Sequence, residues 1–122
     1  MQIKETFLNL TKTYQNAINR LEKLFDPEFE KAVKLINSSD GHIVVCGMGK
    51  SGLVGRKISA TLASTGTPSY FLHPGEAIHG DLGIVQSKSI IILTFNLFNA
   101  GKSAKISSVS PEYDIKIIML FD

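Results

Sequence analysis

The sequence of 122 residues lacks most features that would place it outside ordinary globular proteins. It has a single cysteine, Cys46, which excludes an internal disulfide and fits a reducing compartment. The net charge is only +2 and the basic residues are scattered, which argues against a nucleic-acid or membrane-binding surface. No apolar run approaches the roughly 20 residues that span a bilayer, and no signal-peptide core follows Met1. We therefore expect a cytoplasmic protein with a single core.

The first 40 residues are predicted to form a helical segment, and residues 41–122 a separate α/β unit. Asp26 and Pro27 divide the helical segment, because Asp favours the N-cap and Pro the first helical position. The second helix continues the apolar face with Phe29, Ala32, Val33 and Ile36. The apolar stripe of the first helix could pack on the protein's own sheet or on a partner chain. Its members recur at spacings of four and three: Ile3, Phe7, Leu10, Tyr14, Ala17, Leu21 and Leu24.

After the turn at Gly41, short apolar runs alternate with a helical pattern. Continuous apolar strands separated by helices predict a parallel sheet in an αβα sandwich of three layers. The helix after the first strand is expected to turn Leu53, Val54, Ile58 and Leu62 inward. The strands are expected at 42–46, 69–72, 89–95 and 115–121, the helix at 51–64, and a loop with a weak helix at 96–110. The apolar strand at 115–121 ends the sequence, so we expect a partner to cover it or the chain to be a truncated form.

A glycine-rich turn, 47–52, follows the first strand and is the most informative stretch. Glycines let backbone approach a ligand, and free amides at a helix start favour an anion, so a phosphorylated ligand is expected. The turn fits G-x-G-x-x-G, the motif of dinucleotide-binding folds. Those folds also have an acidic residue about 20 residues later, at the end of the second strand, and here the nearest acid, Glu76, lies beyond a proline turn, which argues against a dinucleotide. The Walker A motif of proteins that bind nucleoside triphosphates is not matched, because Val44 occupies the position of its leading glycine. A tight turn without a ligand is the remaining alternative.

Two further loops are expected at the same edge of the sheet. The loop 73–81 holds His73, Glu76, His79 and Asp81, and histidine can carry protons near neutral pH or bind a metal. The two histidines lie at a spacing that matches no common zinc motif, and each is often a structural residue when taken alone. The third loop, 95–103, would by itself be a polar turn with one lysine.

The three loops together resemble D-arabinose 5-phosphate isomerases, which carry a sugar isomerase (SIS) domain. The resemblance covers roughly residues 20–122. It rests on Gly-Met-Gly-Lys-Ser-Gly at 47–52, Ala-Ser-Thr-Gly-Thr-Pro at 63–68 and His-Pro-Gly-Glu-Ala-Ile-His-Gly-Asp-Leu-Gly at 73–83. It implies a flavodoxin-like fold, a homodimer or homotetramer, and a role in Kdo synthesis for lipopolysaccharide or capsule. The implied reaction interconverts D-ribulose 5-phosphate and D-arabinose 5-phosphate without a required cofactor.

The resemblance also implies roles for particular residues. The family's loop lysine, important for activity, falls on Lys50, and its substrate-contacting histidine and proton-transfer candidate falls on His79. His73 falls on a histidine that can bind zinc. The positions implied to hold the substrate are Gly49, Ser51, Gly66, Thr67, His79 and Ser103.

The third loop departs from the family, which has Ser-Asn-Ser-Gly-Glu-Ser there. Lys102 stands in the position of a glutamate important for activity, and two serines are replaced. A lysine could still hold a phosphate by charge, but it does not replace a carboxylate in acid–base chemistry. The family also has functional residues after position 122, and many members have CBS domains. An isomerase, a sugar-phosphate-binding module without turnover and a fragment that folds within an oligomer all remain open, and we expect little activity from residues 1–122 alone.

Overall fold

The computed structural model describes residues 2–95, 104–110 and 114–121. Within these residues, no helix combines the length and hydropathy needed to cross a bilayer. The helices are α1 (Ile3–Leu21), α2 (Pro27–Asn37), α3 (Gly49–Ser64) and α4 (Pro74–Ala77), with 3-10 turns at Glu22–Leu24 and Asp81–Ile84. The strands are β1 (Ile43–Cys46), β2 (Ser69–Leu72), β3 (Ile90–Phe95), β4 (Ala104–Ser110) and β5 (Ile115–Phe121).

The boundary between α1 and α2 confirms the sequence prediction. The Asp26 carboxylate accepts a hydrogen bond from the Phe29 amide at 2.8 Å, and Pro27 occupies the first helical position. The cap satisfies one amide that the helix itself leaves free. α1 is a continuous helix as predicted, but none of its residues is buried.

The strands form one sheet in the order β2-β1-β3-β5-β4. The pairs among β2, β1, β3 and β5 are parallel, which confirms the predicted α/β class, and β4 adds an antiparallel strand at the edge. The helix expected within 96–110 is wrong for 104–110, which is β4. Three serines there compete with helical hydrogen bonds, while Ile106 and Val109 favour a strand. Residues 96–103 lie outside the described residues.

One face of the sheet forms the core beneath α2 and α3. Side chains from three neighbouring strands lie on this face, because the parallel register aligns Ile43 with Ile90. Ala32 of α2 belongs to their cluster, and Ile58 and Leu62 of α3 pack against it as predicted. The opposite face is less covered, and Ile91, Leu93, Ile117 and Met119 are half-buried there. The buried strand residues of the core are Ile43, Val45, Ile90, Ile92 and Ile118.

The inner surface of α3 differs from the prediction. Leu53 and Val54 were expected to face inward, but they are 68% and 49% exposed. The buried positions of α3 instead carry small residues: Ser51, Gly52, Gly55 and Ser59. A Cβ atom on Gly55 would lie 3.1 Å from the Phe71 ring, so the helix lies too close to the sheet for a large side chain.

The apolar face of α2 was also predicted too broadly. Ala32 is buried and Ile36 packs against the core, as expected. Phe29 and Val33 are each half exposed, and the Phe29 ring contacts the Phe25 ring edge-on at 5.8 Å between centroids. The core therefore uses only a narrow stripe of this helix.

Candidate functional site

The carboxyl ends of β1, β2 and β3 lie side by side and bring two predicted loops together. Cys46 at the end of β1 pairs in register with Leu72 of β2 and with Leu93 of β3. The next residues, Gly47, His73 and Thr94, therefore lie along one edge of the sheet. The chain leaves β1 toward β2 and later returns on the other side at β3, and such a reversal creates a crevice at the carboxyl edge.

Thr94 holds the glycine turn against the sheet. Its hydroxyl lies 3.0 Å from the Ser51 carbonyl oxygen and 3.3 Å from the Cys46 carbonyl oxygen, with the geometry of a donor to both. The contact joins the end of β1 to the first turn of α3. A Cβ atom on Gly47 would lie 2.1 Å from the same hydroxyl oxygen, so only glycine fits beside it. The turn is thus fixed by a buried polar contact.

The first turn of α3 presents free backbone amides at this edge. Met48 precedes the helix without a side-chain cap, and the Gly52 amide makes the first helical bond, to the Met48 carbonyl oxygen at 3.2 Å. No acceptor for the amides of Gly49, Lys50 and Ser51 occurs in the part of the chain that the structure describes. A helix start of this kind attracts an anion through its amides and its dipole.

The side chains around that turn differ in access. Lys50 is exposed, so its ammonium can reach a ligand in front of the helix. The side chain of Ser51 is buried, because the residue is only 6% exposed. The predicted contact of Ser51 with the substrate is therefore best made by its backbone amide. Cys46 faces partly inward, and burial raises the pKa of its thiol. Cys46 is consequently a neutral, apolar neighbour of the site.

The second loop places its two histidines differently. His73 is half-buried and caps α4, with its Nδ1 accepting a hydrogen bond from the Gly75 amide at 3.1 Å. This bond leaves Nε2 as the ring atom that can donate a proton or hold a metal. His79 lies just beyond α4 and is exposed, with its amide bonded to the Glu76 carbonyl oxygen at 2.9 Å. Its imidazole is therefore accessible to a ligand.

Two predicted substrate contacts lie at the other edge of the sheet. Gly66 and Thr67 follow α3 and precede β2, so the whole length of the helix separates them from Gly49. Its 16 residues span about 24 Å. One chain does not bring these residues to the glycine turn, and their contact with the substrate stays a prediction.

The remaining candidates concern the third loop and a metal. Lys102 and Ser103 lie outside the described residues. Among the residues that the structure describes, no three His, Cys, Asp or Glu side chains form a group that could hold a metal ion. Zinc at His73 therefore stays a prediction of the family resemblance.

Sequence reasoning missed Thr94. The residue follows four apolar positions in β3 and reads as one more β-branched strand residue. Its polar group at the carboxyl end of a buried strand was the available signal, because a hydroxyl there needs a partner and the neighbouring turn supplies one. Thr94 is buried and positions the turn through its contacts with the Ser51 and Cys46 carbonyl oxygens.

The sequence is similar to known proteins of one family. A family model described as the SIS domain matches residues 35–96. Arabinose 5-phosphate isomerase KdsD of Francisella tularensis is 41% identical over 92% of this chain, and KdsD of Pseudomonas aeruginosa is 45% identical over 80%. The chain spans only 36% and 29% of the length of these two relatives.

A solved structure is similar as well. The protein c3406 of E. coli CFT073, in complex with arabinose 5-phosphate, superposes with a TM-score of 0.62 and 40% sequence identity. The match covers 76% of this chain and 51% of that protein. The similarity supports the α/β architecture at a level of identity where folds are shared.

Proposed function

Because this chain belongs to the SIS-domain family, we propose that its glycine turn binds the phosphate of a pentose. We further propose that the whole protein interconverts D-arabinose 5-phosphate and D-ribulose 5-phosphate. The observation that carries the proposal is the uncapped first turn of α3, where the amides of Gly49, Lys50 and Ser51 face the carboxyl edge. The names of the relatives and the arabinose 5-phosphate complex of a similar structure support the choice of sugar.

The proposed chemistry exchanges an aldose for a ketose. A base removes the proton next to the carbonyl of the open sugar, an enediol forms, and the proton returns to the neighbouring carbon. A phosphate held at one end of the sugar fixes the distance of carbons one and two from the proton carrier. The amides and the Lys50 ammonium hold the phosphate, and the exposed His79 imidazole is the proposed proton carrier.

Several parts of the proposal come from the family alone. Gly66, Thr67 and Ser103 are proposed to contact the substrate, and His73 to bind zinc that the isomerisation does not require. Self-association as a dimer or tetramer and a place in lipopolysaccharide or capsule synthesis are proposed on the same ground. A cytoplasmic location and the division into a helical segment at 1–40 and a partial SIS domain at 41–122 are proposed from the sequence pattern together with the family.

A second candidate is a module that binds sugar phosphate without turnover. The observation that favours it is Lys102 in the position of the family's glutamate. An ammonium cannot take up a proton at neutral pH, whereas a carboxylate can. Binding of the phosphate would survive such an exchange, because a positive charge attracts it.

Conversion of D-ribulose 5-phosphate by the purified chain, measured beside calorimetric binding, separates the two candidates. We expect D-arabinose 5-phosphate to bind and turnover to be low or undetectable. If the unchanged chain binds the sugar phosphate without turnover and Lys102→Glu raises the rate of conversion, the result would support the loss of an essential carboxylate at this position. Robust turnover by the unchanged chain would refute the importance given to Lys102. Absence of binding by any pentose phosphate, with tight binding of an adenine dinucleotide, would overturn the proposed function itself.

A further inference from the structure

His73 accepts every backbone amide hydrogen that α4 offers. The Gly75 amide donates to the His73 Nδ1 atom at 3.1 Å. The amides of Glu76 and Ala77 both donate to its carbonyl oxygen, each at 3.0 Å. The first residue of the helix is Pro74, which has no amide hydrogen. A single residue therefore holds this helical turn, with its ring as well as with its backbone.

The segment from α4 to the following 3-10 turn has little else to hold it. No residue of either element is buried, and the apolar side chains of Ile78 and Leu82 are 81% and 59% exposed. The ion pairs between described residues all lie outside this segment. A segment without buried contacts opens at little cost in free energy, so its own hydrogen bonds must supply most of its order.

His79 is built directly on this helix. Its amide donates to the Glu76 carbonyl oxygen at 2.9 Å, and the Gly80 amide donates to the Ala77 carbonyl oxygen at 3.4 Å. The backbone position of His79 therefore follows that of α4, and so does the origin of its exposed imidazole. A catalytic group has to be held within roughly 0.5 Å of its productive position, so a shift of the helix would matter for a proton carrier.

The contact between the His73 ring and the Gly75 amide depends on both residues. A Cβ atom on Gly75 would lie 3.2 Å from Nδ1 and 3.3 Å from Cε1 of His73, closer than side chains ordinarily approach. Nδ1 accepts the amide hydrogen only while it carries no proton of its own, so the proton of the neutral ring lies on Nε2. The hydrogen bond thus fixes the tautomer of His73 as well as the start of α4.

We propose that His73 is a positioning residue, whose ring caps α4 through Nδ1 and thereby holds the imidazole of His79 in place for the sugar. The proposal rests on the proposed function in one respect, the role of His79 as proton carrier, whereas the cap is a property of the free chain. It needs no metal at His73. It also accounts for the interval of six residues between the two histidines, which matches no common zinc motif but spans one capped helical turn.

The free chain tests the cap without any substitution. Magnetic resonance of the ring nitrogens, recorded in mildly alkaline buffer with a chelator present, identifies which nitrogen of His73 carries the proton. We expect the proton on Nε2, because Nδ1 accepts from the Gly75 amide. A ring with its proton on Nδ1 cannot accept that hydrogen bond, and finding it would overturn the proposal.

Two substitutions separate the cap from the ring. His73→Asn supplies an oxygen that accepts from the Gly75 amide, whereas His73→Ala supplies no acceptor. We expect the order parameters of the amides at 75–80 to fall from about 0.85 to below about 0.6 in the alanine variant and to recover in the asparagine variant. Asp26→Ala, which removes the matched cap of α2, should leave these values unchanged. Equal order in all variants, or an asparagine variant as mobile as the alanine variant, would contradict the cap.

Titration with D-arabinose 5-phosphate then tests the effect on His79. In the unchanged chain and in His73→Asn, we expect the His79 ring resonances to shift on saturation. In His73→Ala, the Lys50 amide should still report the phosphate, while the shift of the His79 ring is lost. An alanine variant that keeps the His79 shift would overturn the positioning role, and so would an unchanged chain in which the sugar phosphate shifts Lys50 but not His79. No shift at Lys50 in the unchanged chain would overturn the proposed function and with it the role of His79, although the cap measured in the free chain would stand.

Discussion

The two ends of α3 both lie beside a turn that contains glycine, but they have opposite chemical character. At the amino end, the amides of Gly49, Lys50 and Ser51 have no acceptor among the described residues, and Thr94 fixes the turn from beneath. At the carboxyl end, the carbonyl groups of Thr61, Leu62 and Ala63 already accept hydrogen bonds. The Thr65 amide donates to the Thr61 carbonyl oxygen at 3.1 Å, and the Thr67 amide donates to the Leu62 carbonyl oxygen at 2.9 Å.

A glycine turn therefore becomes an anion site through its place in the fold. The amino end of a helix carries the positive end of the helix dipole, and the carboxyl end carries the negative end. A phosphate is therefore attracted to the turn after β1 and repelled from the turn before β2. Both turns belong to the motifs that resemble the isomerases, but only the first lies at the carboxyl edge of the sheet.

The largest expected effect comes from filling the space beside Thr94. Gly47→Ala places a methyl group 2.1 Å from the Thr94 hydroxyl oxygen, which forces the turn away from β3. We expect a loss of about 3 kcal/mol in the free energy of unfolding, the upper part of the range for overpacking. Urea denaturation measures this loss. Gly83→Ala is the control, since nothing lies within 4 Å of its added methyl group, and an equal loss there would contradict the account.

Removal of the Thr94 hydroxyl has the next largest effect. Thr94→Val keeps the shape but leaves the Ser51 and Cys46 carbonyl groups without this donor. We expect a loss of about 1 kcal/mol in stability and about fivefold weaker binding of D-arabinose 5-phosphate, because the turn loses its anchor. Calorimetric titration measures the binding. Thr94→Ser retains the donor, so equal affinities for the serine and valine variants would show that the hydroxyl does not position the turn.

The charge in front of the helix is expected to contribute a similar or smaller amount. Lys50→Met removes an exposed ammonium beside the free amides, and we expect about fivefold weaker binding of the sugar phosphate without a change in stability. Lys57→Met removes a matched exposed charge two turns further along α3 and should change affinity less than twofold. Equal effects of the two changes would indicate general attraction by a basic helix and no local site.

The smallest effect is expected on the outer surface of α3. Leu53 is 68% exposed, so Leu53→Ala should change the free energy of unfolding by no more than about 0.5 kcal/mol. A core leucine would cost about 2–5 kcal/mol when it is shortened to alanine. Thermal denaturation of Leu53→Ala distinguishes an exposed leucine from a core leucine. A loss of about 2–5 kcal/mol would show that Leu53 faces inward, as the hydrophobic pattern indicated.

The sequence predicted the features that depend on local chemistry. Asp26 and Pro27 marked a helix start, and apolar runs marked four of the five described strands, because these signals act through neighbouring residues. The order of loops at the carboxyl edge followed from the parallel sheet. Lys50, Ser51, His73 and His79 accordingly lie in loops or a helix start at that edge.

Features that depend on distance between elements were missed. The inner face of α3 is built from Gly52, Gly55 and Ser59, because the helix approaches the sheet closely, and a hydrophobic pattern does not report that approach. β4 was missed because its pairing with β5 is a tertiary contact, which the weak local pattern of 104–110 does not report. Thr94 was missed for the same reason, since its partners lie 43 and 48 residues away in sequence.

The most direct test follows backbone amide resonances of the isotope-labelled chain during titration with D-arabinose 5-phosphate. We expect the largest shifts at Gly49, Lys50 and Ser51, where free amides meet the phosphate, and smaller shifts at Gly66 and Thr67, which are proposed to contact the substrate. Shifts confined to Gly66 and Thr67, or no shift at either end of α3 at saturating sugar phosphate, would show that the start of α3 is not the phosphate site.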